Sequence, residues 1–171
     1  MFDPTVLENL KIAFENQLYD LDNIEGKIQI TNREDLLDMA VMSRKFTLQF
    51  MLAGSGTVTG EVVLESSLDD LAAEILETPG STPACTLLVR FYKQVRDWPE
   101  ECRRIDQAVR SVWQPEMPPV QTLSIVYGEE PAVWRDVIEL RFNRRINEDQ
   151  IEDIPALIEH MIRSLEWLAA L

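Results

Sequence analysis

The spacing of apolar positions divides this chain into helices and strands. The strongest periodic signal lies at 154–171, where Ile154, Leu157, Ile158, Met161, Ile162, Leu165 and Leu168 recur at three- and four-residue steps and give one wide apolar face. Such a face needs a second layer to cover it. Pro155 suits a first helical turn, where its missing N–H breaks no intrahelical bond, and Asp149, Glu152 and Asp153 complement the positive end of the helix. At 1.5 Å per residue the rod is roughly 25 Å long, enough to cross a small domain. Glu159, Arg163 and Glu166 make its other side too polar for a membrane span.

The chain opens on another helix, capped by Asp3 before Pro4 or by Thr5 in a Thr-x-x-Glu box with Glu8. Its apolar side is Val6, Leu7, Leu10, Ala13, Phe14 and Leu18, and the turn formers Asp20, Asp22 and Asn23 predict that it ends near Leu18. A short alternating strand follows at 27–31. The stretch 32–43 has apolar positions at Leu36, Leu37, Met39, Ala40, Val41 and Met42 without a clear period, and reads either as a short helix or as an extended approach to the next strand. From 45 to 52 the pattern is plain: Phe46, Leu48, Phe50 and Leu52 alternate with Lys45, Thr47, Gln49 and Met51. Residues 53–56 turn the chain, and 57–65 return with Val58, Val62 and Leu64 on one side, which predicts an antiparallel hairpin with one wet face.

Ser67 and Asp70 cap a helix whose stripe is Leu68, Leu71, Ala72, Ile75 and Leu76, and the loop 78–83 stops it at a candidate internal boundary. Residues 85–92 form a strand with Leu87, Val89 and Phe91 inward. Asp97 or Trp98 precedes a helix start at Pro99-Glu100-Glu101, striped by Cys102, Ile105, Ala108, Val109 and Val112. Residues 120–127 and the segment around 134–142 make a second hairpin, with Trp134, Ile138, Leu140 and Phe142 facing one way and Arg135, Val137, Glu139 and Arg141 the other. The hairpin–helix order 45–77 echoes 120–170. The expected architecture is a single α+β domain: an antiparallel sheet of about five to seven strands with roughly four helices, the C-terminal helix at about 155–170 packed on the sheet.

Composition narrows the function classes. A chain of 171 residues with 46% hydrophobic and 27% charged residues has enough material for a core and is not of disordered type. Sixteen basic against thirty acidic residues give −14, a field of the wrong sign for nucleic acid or anionic membrane. The charge is uneven: residues 1–85 carry five basic and fifteen acidic side chains, whereas 86–145 carry ten and nine. Cys85 and Cys102 have no disulfide or redox spacing, and the first residues lack the cationic segment and apolar run of a secretory leader, so a cytoplasmic protein is expected.

No catalytic or metal motif has both the residue types and the intervals that its chemistry requires. The single His160 lies mid-helix without a Gly-x-Ser-x-Gly partner. The acidic run at 20–26 has Ile24 and Glu25 where a calcium loop needs a ligand and a glycine, and Gly54-Ser55-Gly56 leads into a strand rather than a helix. No cofactor is implied and no metal.

Two features stand above this background. On a helical wheel His160, Ser164, Trp167 and Leu171 line up beside the core stripe of the last helix, an edge suited to docking a protein partner or a second copy, with Trp167 as anchor. Arginines are concentrated in 86–145, and Arg90, Arg135 and Arg141 fall on the wet faces of strands, where they would bind an anionic ligand or pair with acids such as Glu139. The first feature points to a small acidic adaptor or regulatory subunit that works by protein contact, as a dimer or with a partner, rather than to an enzyme. The second keeps a small-molecule binder as the alternative.

Overall fold

The computed structural model describes residues 5–54 and 56–171. Helix α1 (Val6–Asn23) is followed by strands β1 (Ile28–Asp38), β2 (Ser43–Leu52) and β3 (Val58–Ser66), the short helix α2 (Leu68–Ile75) and strand β4 (Thr86–Val95). Helix α3 (Trp98–Trp113), strands β5 (Val120–Ser124) and β6 (Trp134–Arg141), a 3-10 turn (Glu148–Asp153) and helix α4 (Ile154–Ala170) complete the chain. The strands form one antiparallel sheet in the order β1-β2-β3-β4-β6-β5. This is the α+β arrangement that the pattern predicts.

Helices α1, α3 and α4 lie on one face of the sheet, and the alternation of the strands decides which side chains meet them. Phe46, Leu48 and Phe50 of β2, Val62 and Leu64 of β3, Val89 and Phe91 of β4, and Ile138 and Leu140 of β6 are fully buried beneath them. The α4 stripe of Ile154, Ile158, Met161, Leu165 and Leu168 fills the centre of that layer, with Leu157 and Ile162 at its margins. Leu7, Leu10, Phe14 and Leu18 of α1 and Ile105 and Val109 of α3 close it on either side. Each buried aliphatic or aromatic side chain here contributes roughly 1.5–3 kcal/mol over its exposed state.

Several expectations are corrected. Helix α1 continues five residues past Leu18, because Leu21 packs against the core and Asp22 accepts the Ile30 N–H at 2.9 Å, so the turn formers serve the helix end instead of breaking it. Thr5 caps α1 by accepting the Glu8 N–H, while the competing Asp3 cap lies outside the described residues, as does Ser55 in the β2–β3 turn. The ambiguous stretch takes the extended alternative and not the helical one: β1 runs through it to Asp38, paired with β2 from Asn32 to Asp38. A slip of register between Ile30 and Asn32 changes which β1 side chains face the helices, so Arg33 and Asp35, rather than Asn32 and Glu34, turn toward α1. The echo between the two hairpin–helix units does not extend to packing. Helix α2 has the Ser67–Asp70 capping box but buries none of its residues, whereas α4 is the centre of the core. The loop 78–83 joins α2 to β4.

The edge strand β1 is tied to α1 by charge. Arg44 bridges Glu8 and Asp35, each at 2.7 Å, Lys11 reaches Asp35 at 2.8 Å, and Arg33 reaches Glu15 at 2.6 Å, with Lys11 and Arg33 both over the Phe46 ring. Hydrogen bonding from Arg44 holds the Asp35 carboxyl well below the usual carboxylate range. A depressed carboxyl stabilises the fold above its unfolded pKa near 4, and that contribution is lost as pH falls through its folded value. Asp35→Asn is therefore expected to lower the unfolding free energy at pH 7 by about 1 kcal/mol, since the group is partly solvated. Denaturant titration should show the gap between variant and parent shrinking below about pH 4.

Candidate functional site

Away from the helices, the other face of the sheet is open, and here the three singled-out arginines are found. Register places Gln49, Glu61, Arg90 and Glu139 in one row across β2, β3, β4 and β6. Glu61 is almost fully buried and accepts from Gln49 Nε2 at 2.6 Å, Arg90 at 3.1 Å and the Tyr92 hydroxyl at 2.9 Å. The Arg90 Nε–H donates to Glu139 at 2.9 Å, and Arg141 donates to the other oxygen of the same carboxylate. Burial alone would raise the Glu139 pKa, but the hydrogen bonds from Arg141 and Arg90 hold it low. Arg135 pairs with Glu129 at 3.4 Å. All three arginines share the open face, yet each already has a carboxylate partner. Arg90 and Arg141 belong to a ladder with Glu61 and Glu139, Arg135 pairs apart from it with Glu129, and the three do not converge on one anion site.

The C-terminal helix edge is also divided by the tertiary structure. Ser164 is 1% exposed and cannot present itself to a partner; it accepts the Trp113 indole N–H at 2.7 Å and donates to the His160 carbonyl at 2.8 Å. Helix α3 packs beside α4 and covers that part of the wheel, which a wheel drawn for one helix cannot show. Trp167 and Leu171 do remain exposed, at 48% and 41%. His160 stacks at a tilt on Trp113, with ring centroids 5.4 Å apart, and its Nδ1 lies 2.7 Å from the Ala156 carbonyl. On its other flank Trp113 meets Phe142 at 6.2 Å. These three rings line a cavity of about 370 Å³. Neither Trp113 nor the ring cluster stood out in the sequence, because the three residues come from α3, the end of β6 and α4.

The two cysteines have no reactive setting. Burial pushes the Cys85 thiol up to about 12 and the Cys102 thiol up to about 11, the latter helped by neighbouring Asp136, so neither is a thiolate near neutrality. Asp136 is itself 1% exposed, and its Oδ2 lies 3.9 Å from Cys102 Sγ. Its Oδ1 and the Gln121 Oε1 are buried without a protein hydrogen-bond partner. Among the described residues no group of three His, Cys, Asp or Glu side chains is placed to hold a metal ion, and no helix is long and apolar enough to cross a membrane.

The feature that the sequence pattern concealed is the free end of the β1–β2 hairpin. Leu36, Leu37, Met39 and Val41 are each more than half exposed, and Met42 adds to them in a left-handed turn conformation. Their signal was an apolar run without helical or strand period, which reads as core until the paired strands are seen to project past the helix layer. At the same end of the sheet, Ser43 shares a depression with Ser67 and Asp70 at the start of α2, and Asp69 and Asp70 stand in the first turn of that helix. Comparison of this chain with protein-family models, curated proteins and solved structures finds no match.

Burial raises the Asp136 pKa to about 6. A raised carboxyl pKa means that the folded protein binds the proton more tightly than the unfolded chain, so the group destabilises the fold above about pH 6 and the penalty is relieved as pH falls toward 4. Asp136→Asn is expected to raise the unfolding free energy at pH 7.5 by about 2 kcal/mol and to flatten stability between about pH 4 and 6.5. Denaturant unfolding across that range checks both; a variant equal to or weaker than the parent at pH 7.5 contradicts the assignment.

Proposed function

We propose that this protein is a non-catalytic binding module that holds an apolar, positively charged protein segment at the free end of its first hairpin. The observation that carries this reading is the exposure of Leu36, Leu37, Met39, Val41 and Met42, large apolar side chains gathered on the two faces and the turn of one hairpin end. Large apolar side chains left exposed in such numbers at one end of a fold cost solubility and mark a contact surface. Methionines suit it, since their flexible thioethers adapt to differently shaped partners.

Charge selects the partner. Glu34 and Asp38 stand on the same hairpin outside its ion pairs, whereas Asp35 is held by Arg44 and Lys11 and Arg33 by Glu15, and residues 1–85 as a whole carry fifteen acidic against five basic side chains. A second copy would bring like charges together, whereas a partner with Lys or Arg beside its apolar side chains gains both attraction and burial. The free thiols Cys85 and Cys102 fit a reducing compartment such as the cytoplasm. The exposed Trp167 and Leu171 supply a second, smaller contact at the other end of the chain.

The test uses two synthetic amphipathic helical peptides, one of Leu and Lys and one of Leu and Glu, titrated calorimetrically into the full chain. The Leu/Lys peptide is expected to bind, and more weakly as salt rises; the Leu/Glu peptide is not. The double variant Met39→Ser, Val41→Ser, both positions being solvent-exposed, should weaken binding at least about tenfold without changing stability. Equal binding by the variant overturns the hairpin as the site. A parent chain that sediments as a dimer and becomes a monomer in the variant replaces the partner with a second copy.

A further inference from the structure

The cavity lined by Trp113, Phe142 and His160 is independent of the hairpin, and its construction is that of a small-ligand pocket. Its volume of about 370 Å³ falls within the range of ligand sites, roughly 300–1,000 Å³. The floor is taken from the core: Phe14 and Ile154 reach it from α1 and α4, and Leu157 adds an aliphatic wall. A planar or branched apolar group entering it would lie against Trp113 and Phe142, whose mutual tilt of 60° leaves faces and edges available for offset or edge-to-face contact.

These walls are held in place before any ligand arrives. The Trp113 indole is anchored on the buried Ser164 hydroxyl, which in turn donates to the backbone of α4 one turn back, at His160. Because a carbonyl oxygen only accepts, the short contact with Ala156 places a hydrogen on His160 Nδ1. A ring fixed in this way loses little entropy on binding.

The cavity's lining also carries charged groups. Arg144 and Arg145 line it with a single carboxylate, Asp153. Arg145 is engaged by Asp70 and by the Ala84 carbonyl, both at 2.6 Å. Arg144 is exposed and has no carboxylate within salt-bridge distance among the described residues. In a chain of net charge −14 this is a guanidinium without an acid, set beside an aromatic pocket. It differs in that respect from Arg90, Arg135 and Arg141, which are all paired.

From this arrangement we propose that the cavity binds a small amphipathic monoanion, an aromatic or branched aliphatic carboxylate, with its apolar body between Trp113 and Phe142 and its carboxylate on Arg144. One unpaired guanidinium matches one negative charge, and Asp153 at the same rim repels a second, so a dianionic phosphate is disfavoured. Guanidinium and carboxylate meet as a planar fork of two hydrogen bonds, which gives orientation as well as attraction.

The test titrates the full-length protein with 3-phenylpropionate and with its uncharged analogue 3-phenylpropanamide, by calorimetry and by following the Trp113 indole N–H resonance. The carboxylate is expected to bind about tenfold more tightly than the amide, and to shift the Trp113 signal while leaving that of exposed Trp167 in place. Arg144→Gln, a surface change, should bring the two ligands to within about twofold of each other. Phe142→Ala should weaken both. No binding by the carboxylate up to about 10 mM, equal affinity for the two ligands in the parent, or an Arg144→Gln variant that keeps the preference would each overturn the proposal. The Met39→Ser, Val41→Ser variant should bind 3-phenylpropionate as the parent does, so failure here and failure of the hairpin reading are separable.

Discussion

Everything in this structure depends on the sheet being covered on one face only. Three long helices press Phe46, Leu48, Phe50, Val62, Leu64, Val89, Phe91, Ile138 and Leu140 out of water, with the α4 stripe at the centre, and nothing comparable lies on the opposite side. That asymmetry is hydrophobic in origin: the alternation of the strands supplies one apolar row per strand, and the amphipathic helices supply the matching layer. It leaves the protein with an open face and two strand edges to manage.

The open face is managed by electrostatics. Gln49, Glu61, Arg90, Tyr92, Glu139 and Arg141 form a hydrogen-bonded ladder across four strands, so that the nearly buried Glu61 has three donors for its charge. The β1 edge is managed in the same way, by Lys11, Arg33, Asp35 and Arg44 linking it to α1. Charge that elsewhere would serve recognition is here consumed in closing the fold. Two places lie outside these ladders: the exposed hairpin end, and the cavity lined by α3 and α4 with Arg144 beside it.

Periodicity in the chain determined much of the architecture. The two-residue alternation at 45–52 and 134–142 and the three- and four-residue spacing at 154–171 respond to contacts that every strand or helix of that pattern must make, so the faces could be assigned without coordinates. Capping followed the same logic: Thr5 and Ser67 satisfy backbone N–H groups a few residues away. The stretch 32–43 was not legible because its strand has little to bury. Its outer half is held by ladder hydrogen bonds to β2 and by ion pairs to α1, and neither leaves a hydrophobic period.

What the tertiary structure alone decided is which surfaces remain free. A helical wheel groups His160, Ser164, Trp167 and Leu171, but the arrival of α3 buries Ser164 under Trp113, while Trp167 and Leu171 stay in water. Strand alternation places Arg90, Arg135 and Arg141 outward, but only the folded chain shows that Glu61 and Glu139 stand across from or beside Arg90 and Arg141 and that Glu129 meets Arg135. The ring cluster of Trp113, Phe142 and His160 joins three elements far apart in the chain. Local pattern follows from interactions within a few residues, and so it is written in the order of amino acids; exposure, pairing and cavities depend on which distant segments meet, and that is set only when the layers close.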